Sequence, residues 1–147
     1  MRKSISVLFL FFNSMWAYSQ PAVKKLDEGF SGHSKPIVLY FHTDWCSYCA
    51  IQSAQLKKDT SISQMLNESF YFIDFNAESL GQIIFNDYTF RGTKNSTHEF
   101  AKSFFPNSRQ IAYPAWVILN KNYQLIFSHQ GLIKLDKLKE ILSLIPK

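Results

Sequence analysis

The stretch FHTDWCSYCAIQ, residues 41–52, carries both cysteines of this 147-residue chain, Cys46 and Cys49. Two residues separate the cysteines, and Trp45 stands directly before the first of them. A pair with this spacing fits a redox-active dithiol, half of a metal site or a structural disulfide. The flanking sequence decides between these, because such a pair becomes reactive where a helix begins.

The residues around the pair predict a strand that leads into a helix. PIVLYFHT, residues 36–43, is an apolar, β-branched and aromatic run typical of a buried strand. CSYCAIQSAQLKKD, residues 46–59, predicts a helix that begins at or near Cys46, with lysines in its last turn. Unpaired N–H groups at a helix start favour the thiolate of Cys46. Cys49, one turn later, is placed to resolve a mixed disulfide.

The sequence after this helix predicts a second core strand and a small hairpin. FYFIDFNA, residues 70–77, reads as a buried strand, so the strand–helix–strand unit implies parallel strands. Residues 81–95 contain two short β-prone runs around Asn86-Asp87 and predict a hairpin insertion outside the central sheet. We expect this insertion to be dispensable for folding. Ser96 and Glu99 fit a capping box at the start of the next helix.

The last third of the chain predicts two strands and a helix. YPAWVILN, residues 113–120, and YQLIFSH, residues 123–129, are separated by a connection short enough for an antiparallel hairpin. KLDKLKEILSLI, residues 134–145, has leucines and isoleucines at helical spacing. Near the start of the chain, AVKKLDEGF predicts a short helix that ends near Gly29.

Composition limits the class of protein. The length suits one domain, and an apolar content of 46% is enough for a core that needs no disulfide framework. The net charge of +5 comes from lysines and arginines that are scattered among acids. Because these cations form no stripe interleaved with aromatic residues, nucleic acid is not an expected partner.

The N-terminal sequence predicts export. Residues 1–19 combine a charged start at Arg2 and Lys3, an apolar run over residues 5–12 and small residues before Gln20. This is the pattern of a secretory signal peptide cleaved after Ser19, which leaves a mature domain of residues 20–147. The apolar run is shorter than the ~20 residues that span a bilayer, so we expect no stable membrane insertion after cleavage. A periplasmic or secreted location would permit disulfides.

The order of these features resembles the thioredoxin superfamily, and exported bacterial thioredoxin-like proteins in particular. The resemblance rests on WCSYC between a strand and a helix, on Tyr113-Pro114 before the third core strand, and on the final hairpin and helix. It covers about residues 29–145. It implies an α/β thioredoxin fold, a central mixed β-sheet flanked by helices, to which this chain adds the small hairpin at residues 81–95.

The resemblance also implies site residues. Cys46 and Cys49 would be catalytic, and Trp45, Tyr113 and Pro114 would contact the substrate, with Pro114 in a cis peptide bond that faces the cysteines. No organic cofactor and no metal are implied. The expected partners are proteins that carry disulfides or dithiols, and a redox donor that resets the pair.

Two positions depart from thioredoxin itself. Ser47 and Tyr48 replace its Gly-Pro, so Ser47 has a free N–H near the sulfur of Cys46. Tyr40 stands where thioredoxin has a buried acid, and a tyrosine does not release its proton near neutral pH. Cys49 would therefore lack that base unless Asp44, Asp74 or a water replaces it. These departures predict a reduction potential above the roughly −270 mV of thioredoxin.

The favoured hypothesis is an exported thiol–disulfide oxidoreductase that acts as a reductase or isomerase on exported proteins. One alternative is a redox-inert binding module with the same fold. Another is copper or zinc handling by the cysteines together with His42, His98 or His129. A purely structural disulfide is a weaker alternative, because a bridge across so short a loop removes little chain entropy.

Overall fold

The computed structural model describes residues 23–30, 32 and 34–146. The predicted signal peptide, residues 1–19, lies outside the described residues. The described elements, in chain order, are β1 (Lys24–Lys25), β2 (Ile37–His42), α1 (Ser47–Lys58), α2 (Thr60–Ser69), β3 (Tyr71–Asn76), β4 (Gly81–Phe85), β5 (Tyr88–Gly92), α3 (Glu99–Phe104), β6 (Ala115–Leu119), β7 (Leu125–Gln130) and α4 (Leu135–Leu144). None of the helices in this part of the chain is long and apolar enough to cross a membrane.

A four-stranded mixed sheet with the order β3-β2-β6-β7 forms the centre of the molecule. β2 runs parallel to β3 and antiparallel to β6, and β7 is antiparallel to β6. The two middle strands are almost entirely apolar and almost entirely buried, as expected for strands covered on both faces. The predicted α/β thioredoxin fold is confirmed.

The two faces of this sheet have separate cores. On one face, Val38, Tyr40 and Trp116 pack with residues of α1, α2 and α4. On the other face, Leu39 and Phe41 pack with residues of β4, α3 and the chain before β6. The alternation of side chains along β2 therefore sends Tyr40 toward the helix that carries the cysteines.

The hairpin forms as predicted, but it is not peripheral. β4 and β5 pair with each other and with β1 in a second sheet, ordered β1-β4-β5, and positive φ angles of 48° and 61° at Asn86 and Asp87 suit a two-residue turn. Ile83 and Phe85 are buried in the same core as Leu39. This burial argues against the expectation that the insertion is dispensable for folding, which a deletion variant would test.

Two local predictions were wrong. The residues predicted as an N-terminal helix contain β1, because Lys24 and Lys25 pair in parallel with Ile83 and Ile84 of β4. The capping box does not form. His98 is the N-cap of α3, where its Nδ1 accepts the N–H of Phe100, and Glu99 instead accepts the N–H of Arg91 at 2.8 Å.

Asp59 joins three helices, and the sequence did not predict α2. Its N–H caps the end of α1 by donating to the carbonyl of Gln55, and its carboxylate accepts the N–H groups of Ser61 and Ile62 at the start of α2. The same carboxylate lies 2.8 Å from Nζ of Lys139 on α4. These contacts hold the pKa of Asp59 well below its usual range, chiefly through Lys139.

Candidate redox site

Cys46 is the N-cap of α1, as the sequence predicted, and forms a disulfide with Cys49. The Cα atoms of the two residues lie 5.2 Å apart. Sγ of Cys46 accepts the backbone N–H of Cys49 at 3.1 Å. Cys46 is 7% exposed and Cys49 3% exposed. The N–H group directed at the sulfur belongs to Cys49, whereas the sequence had suggested Ser47.

The turn that carries Cys46 is fixed to the end of the central sheet. The N–H of Cys46 donates to the carbonyl of Thr43 at 3.3 Å, which closes a tight turn after β2. Asp44 accepts a hydrogen bond from the side-chain amide of Asn76, the last residue of β3, at 2.9 Å. The cysteine pair therefore has a defined position relative to both parallel strands.

Trp45 lies on the surface beside the pair. It is 66% exposed, and its ring packs edge-on against Tyr113 at a centroid distance of 6.5 Å. Its indole Nε1 donates to the carboxylate of Glu78 at 3.0 Å. Glu78 was not predicted as a site residue, because nothing in the sequence marks a lone acid after a strand as a partner of Trp45.

Pro114 lies at the same end of the sheet. The Tyr113–Pro114 bond is cis, as the resemblance implied. Ala115 at the start of β6 pairs with Phe41 near the end of β2, so the preceding residues Tyr113 and Pro114 lie beside the cysteine-bearing turn. The structure thus brings the five predicted site residues to one end of the sheet, with direct contact shown between Trp45 and Tyr113.

Tyr40 lies beneath the pair and is almost completely buried. Its hydroxyl donates to the carbonyl of Cys49 at 3.1 Å and lies 3.3 Å from the hydroxyl of Ser53. Burial raises the pKa of Tyr40, and the negative charge of Asp74 adds to this effect. Tyr40 therefore keeps its proton near neutral pH and acts as a hydrogen-bond donor.

Asp74 lies next to Tyr40 in the register of β2 and β3, and its carboxylate contacts His42 at 3.0 Å. Desolvation raises the pKa of Asp74, against the opposing effects of His42 and Lys57. Asp74 is therefore paired with a neighbouring side chain near the end of the strand pair.

The histidines proposed as helpers of a metal site are dispersed. His42 contacts Asp74, His98 is fully buried at the N-terminus of α3, and His129 lies on β7. Within the described residues, no group of three or more histidines, cysteines, aspartates or glutamates is arranged to hold a metal ion.

Gln52 supports the helix behind the cysteines and was not recognised from the sequence. It is fully buried. Its side-chain oxygen accepts the N–H of Ile133 at 2.8 Å, and its side-chain nitrogen donates to the carbonyl of Ile133 at 3.1 Å. The sequence does contain an indication of this role: Gln52 lies one helical turn before the buried Leu56 and so falls on the buried side of α1.

Comparison with solved structures agrees with this architecture. A thioredoxin-fold protein from Helicobacter pylori is 20% identical, with a TM-score of 0.55 over 74% of this chain and 67% of its own. The oxidised C-terminal domain of DsbD from Neisseria meningitidis is 19% identical, with a TM-score of 0.51 over 80% of this chain and 87% of its own. The Drosophila melanogaster thioredoxin Deadhead is 15% identical, with a TM-score of 0.54 over 86% of this chain and 100% of its own.

These identities establish the fold alone. The chain also spans only 66% of the length of a disulphide isomerase from Xylella fastidiosa Temecula1, which is similar to it with a TM-score of 0.47. No curated protein matches the chain. The model of the thioredoxin-like domain family matches residues 24–145, nearly all of the described structure. The chain therefore belongs to the thioredoxin-like domain family.

Proposed function

We propose that the protein is an exported thiol–disulfide oxidoreductase that reduces or isomerises disulfides in other exported proteins. The observation that carries this proposal is the position of Cys46 Sγ at the N-cap of α1, 3.1 Å from the N–H of Cys49. A hydrogen bond and the positive end of a helix dipole stabilise negative charge on that sulfur. Cys46 is also the more exposed cysteine of the pair.

The reaction is a two-step exchange. In the reduced protein, the Cys46 thiolate attacks one sulfur of a client disulfide, the client S–S bond breaks, and the departing client thiolate takes up a proton. Cys49 then loses its proton and attacks Sγ of Cys46. The Cys46–Cys49 disulfide forms, and the second client thiol leaves. The client gains two electrons, which a dithiol donor returns to the protein.

Trp45, Tyr113 and Pro114 are proposed to hold the client beside Cys46. The exposed ring of Trp45 offers apolar surface next to the sulfur, and its contacts with Tyr113 and Glu78 keep the ring in place. The charged start and short apolar run of residues 1–19 support export. In an oxidising compartment the pair needs a donor dithiol to stay reduced.

Reduction of insulin by dithiothreitol tests the proposal. The mature protein should accelerate the reaction, Cys46→Ser should abolish the acceleration, and Cys49→Ser should trap client proteins as mixed disulfides in the native host. Limiting iodoacetamide should label Cys46 before Cys49 in the reduced protein. A fully reduced, folded protein without activity would overturn the proposal and favour a redox-inert binding module.

A further inference from the structure

A groove separates the outer strand of the central sheet from the start of the hairpin sheet. It has a volume of about 540 Å³, within the range of ligand sites in proteins. Its walls are Lys24, Leu26, the segment 72–76 of β3 and the segment 79–83 that leads into β4. Segment 72–76 is about 16 Å long at the rise of a β-strand, so the groove is long enough for an extended peptide.

The backbone of β3 presents unused hydrogen-bonding groups to this groove. In a parallel pair, alternate residues of a strand direct both N–H and C=O to the neighbour. The N–H groups of Tyr71 and Ala77 donate to Pro36 and His42, so the odd-numbered residues face β2. The N–H and C=O groups of Phe72 and Asp74 therefore point away from β2, and β3 pairs with no other strand among the described residues.

The groove ends at the redox site. Asn76, at the end of β3, is bonded to Asp44, two residues before Cys46. Glu78, between the two walls, holds Trp45. Leu80, a wall residue, is 68% exposed. A chain that leaves the groove at this end therefore meets the surface around Trp45.

The charge of Asp74 decides which occupant fits. In the register that centres two antiparallel β3 strands on Asp74, one Asp74 lies opposite the other, and like charges directly opposite destabilise a strand pair. A second copy of this chain is therefore disfavoured in that register. One carboxylate oxygen of Asp74 contacts His42, and the side chain is 55% exposed, so a basic residue on an incoming strand could pair with the other oxygen.

We propose that the outer edge of β3 binds an extended segment of the client polypeptide, which adds as a strand and places a basic residue opposite Asp74. This inference rests on the proposed function and names its client: a disulfide-bearing chain with an extended basic segment near the cysteine. Strand addition supplies affinity through main-chain hydrogen bonds and leaves the client sequence otherwise free.

Synthetic disulfides test the proposal with the intact mature protein. The probes are symmetrical disulfides of a cysteine peptide that carries a six-residue tail of alternating Thr and Val with a central Lys, attached before or after the cysteine. N-acetylcysteine amide disulfide is the tail-free reference. One tailed probe should show a kcat/KM about tenfold above the reference, equivalent to about 1.4 kcal/mol, because the tail adds main-chain hydrogen bonds to β3.

N-methylation of the tail separates strand addition from side-chain contact. Methyl groups on one alternate set of tail amides should abolish the gain in kcat/KM, and methyl groups on the other set should leave it, because only one set faces β3. Equal effects of both sets would overturn the proposal. If the tail-free disulfide is reduced but the tail gives no gain, the groove proposal fails alone. If no disulfide is reduced, the proposed function fails as well.

A charge swap tests the role of Asp74. Asp74→Lys should lower kcat/KM for the Lys-tailed probe about threefold and raise it about threefold for a Glu-tailed probe, as expected for a cross-strand charge pair. Each rate is divided by the rate of the same variant with the tail-free disulfide, so a general change in redox activity cancels and only the preference between the tails is compared. Asp136→Lys, at an exposed position in the first turn of α4, is the matched control. If Asp74→Lys lowers kcat/KM for both tailed probes and does not reverse the preference between them, Asp74 does not contact the client.

Discussion

The hydroxyl of Tyr40 donates a hydrogen bond to the backbone carbonyl of Cys49, 3.1 Å away. The first turn of the redox helix is thereby fixed to a central strand. We predict that Tyr40→Phe destabilises the oxidised protein by about 1 kcal/mol, the net value of one such bond. Urea denaturation measures this change.

Because burial raises the pKa of Tyr40, the pH dependence of insulin reduction below pH 9 should keep its shape in the Tyr40→Phe variant. If the pH profile of Tyr40→Phe lacks an inflection that the native protein shows below pH 9, Tyr40 titrates in that range.

Replacement of Gln52 should be more costly than replacement of an exposed glutamine. Gln52→Leu removes both hydrogen bonds to Ile133 and leaves its N–H and C=O unpaired. We expect a loss of about 2–3 kcal/mol, the penalty for leaving buried polar groups unsatisfied. Gln64→Leu, at an exposed position on α2, is the control and should change stability little. Equal effects would show that the Gln52 contacts do not stabilise the fold.

The hairpin should contribute to the stability of the whole domain. Phe85 is buried against Phe100 of α3, whereas Tyr88 of the same hairpin is 66% exposed. Phe85→Ala should cost about 3–5 kcal/mol, as for other buried phenylalanines. Tyr88→Ala should change the free energy of unfolding little. If Phe85→Ala is neutral, the hairpin is the dispensable insertion that its sequence suggested.

Stability should fall in mild acid because of His98. Burial lowers the pKa of His98, so the folded protein takes up its proton less readily than the unfolded chain, whose histidine pKa is about 6.5. The stabilisation is complete above that value and is lost as the pH falls through the folded pKa. Urea denaturation at pH 7.5 and pH 5 should show a larger loss for the native protein than for His98→Asn, which retains a capping side chain. His129→Asn is the control, and parallel losses in all three proteins would contradict the role of His98.

The elements around the cysteines could be predicted because their signals are local. A continuous apolar run gives β2, and the Cys-x-x-Cys spacing gives the start of α1. The predictions that failed involve residues whose partners are distant in the sequence. Lys24 and Lys25 have no strand signal of their own, and only pairing with β4 makes them a strand. Glu99 fits a cap in sequence, but its carboxylate instead accepts the backbone N–H of Arg91 on β5.

In the candidate site, too, the residues that could be predicted are those with a local sequence pattern. Cys46, Cys49, Trp45, Tyr113 and Pro114 belong to recognisable sequence patterns. Glu78 and Gln52 do not, since each acts through one contact that depends on the tertiary fold. The burial of Ile83 and Phe85 was not predicted, because a short alternating run does not reveal which of its faces packs against a core.

The position of Asp59 has a consequence for how the molecule opens. One carboxylate caps the start of α2 and holds α4, while the same residue closes α1. Unravelling of any one of these helix ends removes a contact from the other two. Amide hydrogens at the end of α1 and the start of α2 should therefore exchange with solvent in one cooperative event. Asp59→Ala should divide that event into separate, faster ones, which native-state hydrogen exchange by mass spectrometry would resolve.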